Sequence, residues 1–137
     1  MNDLDRFIKA QEKDYNRALK EIKNGYKSSH WIWYIFPQID GLGRSSMSKY
    51  YSIKNIEEAK EYLKNDYLRT HLLEISKELL KLNNKNITDI MGYPDDLKLK
   101  SCMTLFDYIS DYDVFKKVLD KYYDGNKDEL TLKLLNK

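Results

Sequence analysis

Apolar positions recur along most of this chain at spacings of three and four. Leu4, Phe7, Ile8, Gln11, Tyr15, Ala18, Leu19 and Ile22 lie on one side of a 3.6-residue period, which predicts an amphipathic helix of about six turns. Asn2 or Asp3 supplies its N-cap, and Gly25 closes it. Asn55 and Glu58 have the spacing of a capping box ahead of "IEEAKEYLK", a short helix ending near Asn65. Asp66 opens the next, with Leu68, Leu72, Ile75, Leu79 and Leu82 as its core stripe and "NNKN" as its stop. A turn at "MGYPDD" leads into "LKLKSCMTLFDYIS", where Leu99, Cys102, Met103, Phe106 and Ile109 share a face, while Lys98, Ser101 and Tyr108 lie on another. Asp111 or Asp113 starts "VFKKVLDKYY", Gly125 ends it, and Asp128 caps a last helix containing Leu130, Leu132, Leu134 and Leu135. No repeat, linker or boundary interrupts the pattern. It predicts an all-α fold of about seven to nine helices in a single domain over residues 1–137.

One stretch is ambiguous. "WIWYIF" is rich in aromatic and branched residues, and its length suits either a buried strand or two helical turns. Ser28 or Ser29 as a cap and Pro37 as a stop favour the helix. A lone strand would also lack a partner. The segment is therefore expected as a short helix, apolar on all sides, through the middle of the fold.

The composition is compatible with one core: 42% hydrophobic residues, with 24 basic and 22 acidic residues on a solvated surface. A net charge of +2 lacks the strongly basic footprint of duplex nucleic-acid binding. No apolar run approaches the roughly 20 residues that span a bilayer, and the charged, periodic N-terminus does not read as a signal peptide. One cysteine, Cys102, forms no internal disulfide. With only two histidines beside it, neither a transition-metal site nor a cofactor is expected. These features suggest a cytoplasmic chain.

Candidate chemistry concentrates after the aromatic segment. Gln38 is followed by "GLGRSSMS", in which glycines permit close backbone approach and Ser45 or Ser46 can cap a helix "MSKYYSI". Helix N–H groups, hydroxyls and the Arg44 guanidinium have the chemistry of an anion cradle. Between Tyr26 and Asn55 the local net charge is +3. The motif lacks the Gly-Lys-Ser/Thr ending of a P-loop, and a simple turn between helices is its structural alternative. Trp31, Trp33, Tyr34 and Phe36 read either as core or as a stacking wall. His30 is a candidate acid or base, or a capping residue. His71, beside the Leu68 stripe, reads as structural. Asp95 and Asp96 read first as caps of the following helix, and otherwise as catalytic or cation-binding carboxylates. Cys102 reads as a small buried hydrophobe.

The segments "SHWIWYIFPQIDGLGRSSMSKYYSI", "EAKEYL", "MGYPDDLKLKSCMTLF" and "VLDKYYDGNKDELTLKLL" together resemble a bacterial family of uncharacterised domains sometimes given the automatic label "calpastatin". The resemblance runs from Phe7 and Gln11 to Leu135 and implies a compact, mainly α-helical single domain with no established activity. Calpastatin-type protease inhibitors are largely disordered, whereas this chain has the periodic apolar faces of a folded domain, so that label is set aside. The family pattern draws attention to His30, Trp31, Gln38, Gly41, Gly43, Ser45, Ser48, Tyr51, Asp96, Lys98, Ser101, Thr104 and Phe106. Cys102 stands where similar proteins often have serine, which argues against a nucleophilic cysteine.

Two functions compete. In the first, the Gly41–Ser48 turn and Arg44 hold a phosphate-bearing small molecule such as a nucleotide or ADP-ribose-like metabolite. Trp31 or Tyr51 would stack on a ring, Gln38 would read a polar edge, Ser101 would add a hydroxyl, and His30, Asp96 and Lys98 would carry any acid–base chemistry. This reading requires the two motifs to meet in space. In the second, the aromatic segment is a partner-binding surface of a cytosolic interaction module, which requires exposed Trp31 and Trp33.

Overall fold

Side-chain caps set most of the helix starts. A computed structural model describes residues 3–136, and nine helices and no extended strand form among them. Helix α1 (Asp5–Lys23) begins without a side-chain cap at Leu4, so Asp3 does not take the predicted role; Asn2 lies outside the described residues. Its C-terminus ends in a paired closure, with Gly25 N–H donating to the Ile22 carbonyl and Tyr26 N–H to the Glu21 carbonyl. The geometry requires a left-handed residue at the turn, and Gly25 supplies it at φ 75°.

Helix α2 (Ile32–Ile35) is a single turn. Neither Ser28 nor Ser29 caps it; both are drawn instead to the Glu21 carboxylate on α1. Ser45 caps α3 (Ser46–Tyr50) by accepting from Ser48 N–H. Asn55 caps α4 (Ile56–Lys64), but the box is half-made: the Glu58 carboxylate takes the Lys54 N–H and the Arg6 guanidinium rather than the Asn55 N–H. Asn65, not Asp66, caps α5 (Asp66–Lys81). Asn86 caps α6 (Ile87–Met91), a short helix the apolar periodicity did not reveal.

Helix α7 (Asp95–Ile109) starts after Pro94 with Asp95 and Asp96 inside its first turn, where their charge suits the helix dipole but neither is the cap. Helix α8 (Asp113–Tyr123) likewise holds Asp113 inside its first turn, and Asp128 caps α9 (Glu129–Leu135) as expected.

The aromatic segment 31–36 is buried except at half-buried Trp33, and α7 is the helix with the most helical neighbours. Six consecutive residues, Ser101 to Phe106, are buried, so the middle of α7 hides every side, while Leu97 and Tyr108 stay exposed near its ends. It packs against α8, α6, α9, α4 and α2, while α1 and α5 form a second layer with α5 reaching α8. Apolar burial of this kind is the main favourable contribution to folding. Trp31, Ile32, Ile35 and Phe36 fill the space between α1 and α7.

One polar network stitches these layers. Gln11 is buried and donates to the Tyr34 carbonyl (2.8 Å) and to the Tyr62 hydroxyl (3.0 Å). Its amide oxygen therefore faces His71 Nδ1 at 2.8 Å, so Nδ1 carries the hydrogen. His71 is further fixed by stacking on Tyr15 with ring centroids 3.5 Å apart, and burial lowers its pKa.

Candidate functional site

The segment from Phe36 to Ile53 is drawn into a closed loop by backbone bonds at its base. Asp40 N–H donates to the Ile53 carbonyl, and Ile53 N–H to the Gln38 carbonyl, both at 2.8 Å. Ile39 and Ile53 thereby form an isolated parallel bridge. Arg6, reaching across from α1, donates through Nε to the Tyr50 carbonyl and through Nη2 to the Ser52 carbonyl, each at 2.8 Å. The same Nη2 meets Glu58 Oε1 at 2.9 Å, with both side chains only 3% exposed. Ser52 Oγ completes the base by donating to Asp40 Oδ1 at 3.0 Å.

Two glycines shape the projecting part of this loop. Gly41 adopts φ 107°, where an L side chain is strained. Gly43 lies so close to Ser48 that an added Cβ would sit 2.5 Å from its Oγ. The turn is therefore folded back on the start of α3.

Between this loop and α7 lies a cavity of about 110 Å³. Trp33, Gln38, Asp40, Gly41, Gly43, Ser48, Tyr51 and Lys98 are among the residues lining it. The two predicted motifs thus meet: Gln38, Gly41, Gly43, Ser48 and Tyr51 come from the loop, and Lys98 from α7. Arg44 is exposed and does not line the cavity. Ser45 belongs to the same turn, but its side chain is occupied as the α3 cap.

Four sequence candidates sit elsewhere. Trp31 is 1% exposed, and its indole N–H donates to Glu21 Oε1 at 2.9 Å, so it is core; the aromatic wall is Trp33. His30 is exposed outside the cavity, and its carbonyl accepts from the Tyr34 hydroxyl. Asp96 is buried, accepting from Thr88 Oγ1 at 2.7 Å and Leu97 N–H at 2.9 Å. Ser101 donates to the Leu97 carbonyl within its own helix. Of the three acid–base candidates, only Lys98 reaches the cavity.

Electrostatics restrain that lysine. Lys98 Nζ lies 4.4 Å from the Trp33 ring centroid and 3.2 Å from Asp95 Oδ1. The other Asp95 oxygen binds Lys27 Nζ at 2.7 Å, and Lys27 in turn lies 4.8 Å from the Trp31 centroid. Asp95 therefore bridges two cations, each packed on one tryptophan. Burial, with Tyr50 and Asp14 nearby, raises the Tyr51 pKa, so its phenol stays protonated as a hydrogen-bond donor. Burial alone pushes the Cys102 thiol well up, the state of a packed hydrophobe rather than a nucleophile. Among the described residues no group of three or more His, Cys, Asp or Glu side chains is placed to hold a metal, and no helix is long and apolar enough to cross a membrane.

The sequence reading missed Asp40, counted only as a charge, and Arg6, absent from the apolar periodicity of α1. A cation on the core-facing side of an amphipathic helix was the available signal for Arg6.

Residues 1–135 match the model of a protein family of unknown function, DUF1810. The chain belongs to the DUF1810 family. A crystal structure of the conserved hypothetical protein Rv1873 from Mycobacterium tuberculosis is similar to this DUF1810 member over 98% of this chain and 97% of that one. The identity is 41% and the TM-score 0.97, so the two share one helical fold. No curated protein matches this DUF1810 chain.

Proposed function

We propose that the cavity between the 38–52 loop and α7 is a binding site for a phosphate-bearing small molecule, such as a nucleotide or an ADP-ribose-like metabolite. The observation that carries this reading is the joint lining of one cavity by Gln38, Gly41, Gly43, Ser48, Tyr51 and Lys98, from segments far apart in sequence. A concave site with aromatic walls and a few convergent polar groups is the usual form of a ligand pocket. Arg44, exposed on the same turn, is the group available to hold a phosphate at the rim. Binding is better supported than turnover, because His30 and Asp96 stand away from the cavity. The single buried, unpaired Cys102 supports a reducing, cytosolic setting.

The interaction-module reading is weakened by the burial of Trp31, which that surface needed as an anchor.

A thermal-shift screen against phosphate, sulfate, nucleotides, NAD and ADP-ribose tests the proposal. A ligand at 100 times its Kd stabilises by about 2.7 kcal/mol. The expected result is a rise in Tm with at least one phosphate-bearing compound that Arg44→Ala abolishes. Unchanged Tm with every compound would rule the reading out.

A further inference from the structure

The contents of the cavity say which end of a ligand enters it. Its volume of about 110 Å³ is close to the roughly 150 Å³ that accepts a single benzene ring in a protein interior. Its charge does not favour an anion: the lining cation, Lys98, is held by Asp95 and the Trp33 face, and Asp40 adds a carboxylate to the wall. The lining hydroxyls of Ser48 and Ser52 are committed to the Ser45 carbonyl (2.9 Å) and to Asp40 and the Lys49 carbonyl. In contrast, the Gln38 side-chain amide, the Tyr51 hydroxyl and the Trp33 indole N–H make no hydrogen bond to the protein among the described residues. Gln38 alone offers a donor and an acceptor side by side, and its backbone is pinned by the Ile53 bond at 2.8 Å. An amide of this kind pairs bidentately with a ring edge that presents the complementary pair, as glutamine does with adenine.

We propose that the cavity receives one planar nitrogen heterocycle carrying a hydrogen-bond donor and an acceptor side by side on one edge, read by the Gln38 amide against the Trp33 and Tyr51 walls. Any phosphate of the same molecule stays outside. This inference rests on the small-molecule reading above and names the part of the ligand that confers selectivity.

Calorimetry on the full chain with adenosine, guanosine and uridine, their monophosphates and inorganic phosphate tests it. At least one uncharged nucleoside binds, and inorganic phosphate alone binds more weakly. Gln38→Leu, which keeps the side-chain bulk, weakens that nucleoside by roughly five- to a hundredfold. Gln38→Glu, which has no donor when ionised, changes the rank order of the three nucleosides. Because the Gln38 side chain holds nothing in the protein, both variants should melt like the parent, and the nucleoside-against-phosphate comparison needs no variant. A nucleoside that binds equally well to Gln38→Leu overturns the assignment to Gln38. Monophosphates that bind while all nucleosides are silent overturn the ring proposal but leave the phosphate-bearing ligand standing. Silence from every compound removes both.

Discussion

Arg6 shows how much of this site depends on one side chain outside it. Its guanidinium meets the Tyr50 and Ser52 carbonyls and Glu58, so α1, the loop base and the start of α4 share one buried charge pair. Arg6→Ala would leave Glu58 buried without its counter-charge, with only the Lys54 N–H still donating to it, a change that costs about 3–5 kcal/mol. Urea denaturation of the variant should show that loss, and a loss below about 1 kcal/mol would mean that the pair is solvated. The periodicity of α1 places Arg6 beside its apolar face, but hydrophobic patterning by itself scores an arginine as a surface residue wherever it falls. The glycines were legible as a turn, but the tight contact of Gly43 with Ser48 was not.

Among the helices, three expected caps hold and others fail at Asp3, Ser28, Ser29, Asp95 and Asp96. Asn55, Ser45 and Asp128 begin helices where their side chains accept an N–H three residues ahead. Asn65 serves twice: it ends α4, and its side chain caps α5 through Leu68 N–H. Asn65→Ala should therefore cost about 1 kcal/mol, seen as a lowered Tm with helical circular dichroism otherwise retained. No change in Tm would show that the junction holds without the cap. Helix α6 escaped detection because five residues give too few turns for a period to emerge, although Asn86 stood at its cap. The all-round burial of the middle of α7 was masked by Ser101 and Thr104, which satisfy their hydroxyls on carbonyls of the preceding turn and so pass into the core.

Across the molecule, pH dependence should report the junction between α1 and the aromatic segment. Burial tends to raise the Glu21 pKa, but hydrogen bonds from Ser29 Oγ, Ser28 N–H, Trp31 Nε1 and Ser29 N–H outweigh it and hold the carboxyl at about 2, against an ordinary 4.5. A carboxylate depressed on folding contributes stability above its unfolded pKa and loses it as protons bind the native state. The contribution of Glu21 is thus complete above about pH 4.5 and fades between there and about 2. Stability measured down this range should fall, and Glu21→Gln should flatten part of the fall. An unchanged slope in the variant would show that other carboxylates account for the acid lability.

The helical class and the order of the longer helices follow from the sequence, because 3.6-residue periodicity acts over a few neighbouring positions and needs no distant partner. The loop after Pro37 was also visible there as a concentration of glycine and serine. The cavity it borders depends on contacts that local patterns do not encode. Only the packing of α7 under the loop brings Lys98 to Gln38 and Tyr51, turns Trp33 rather than Trp31 toward the cavity, and leaves His30 and Asp96 outside it. Which side chain reaches a shared space is decided by how helices far apart in sequence pack against one another.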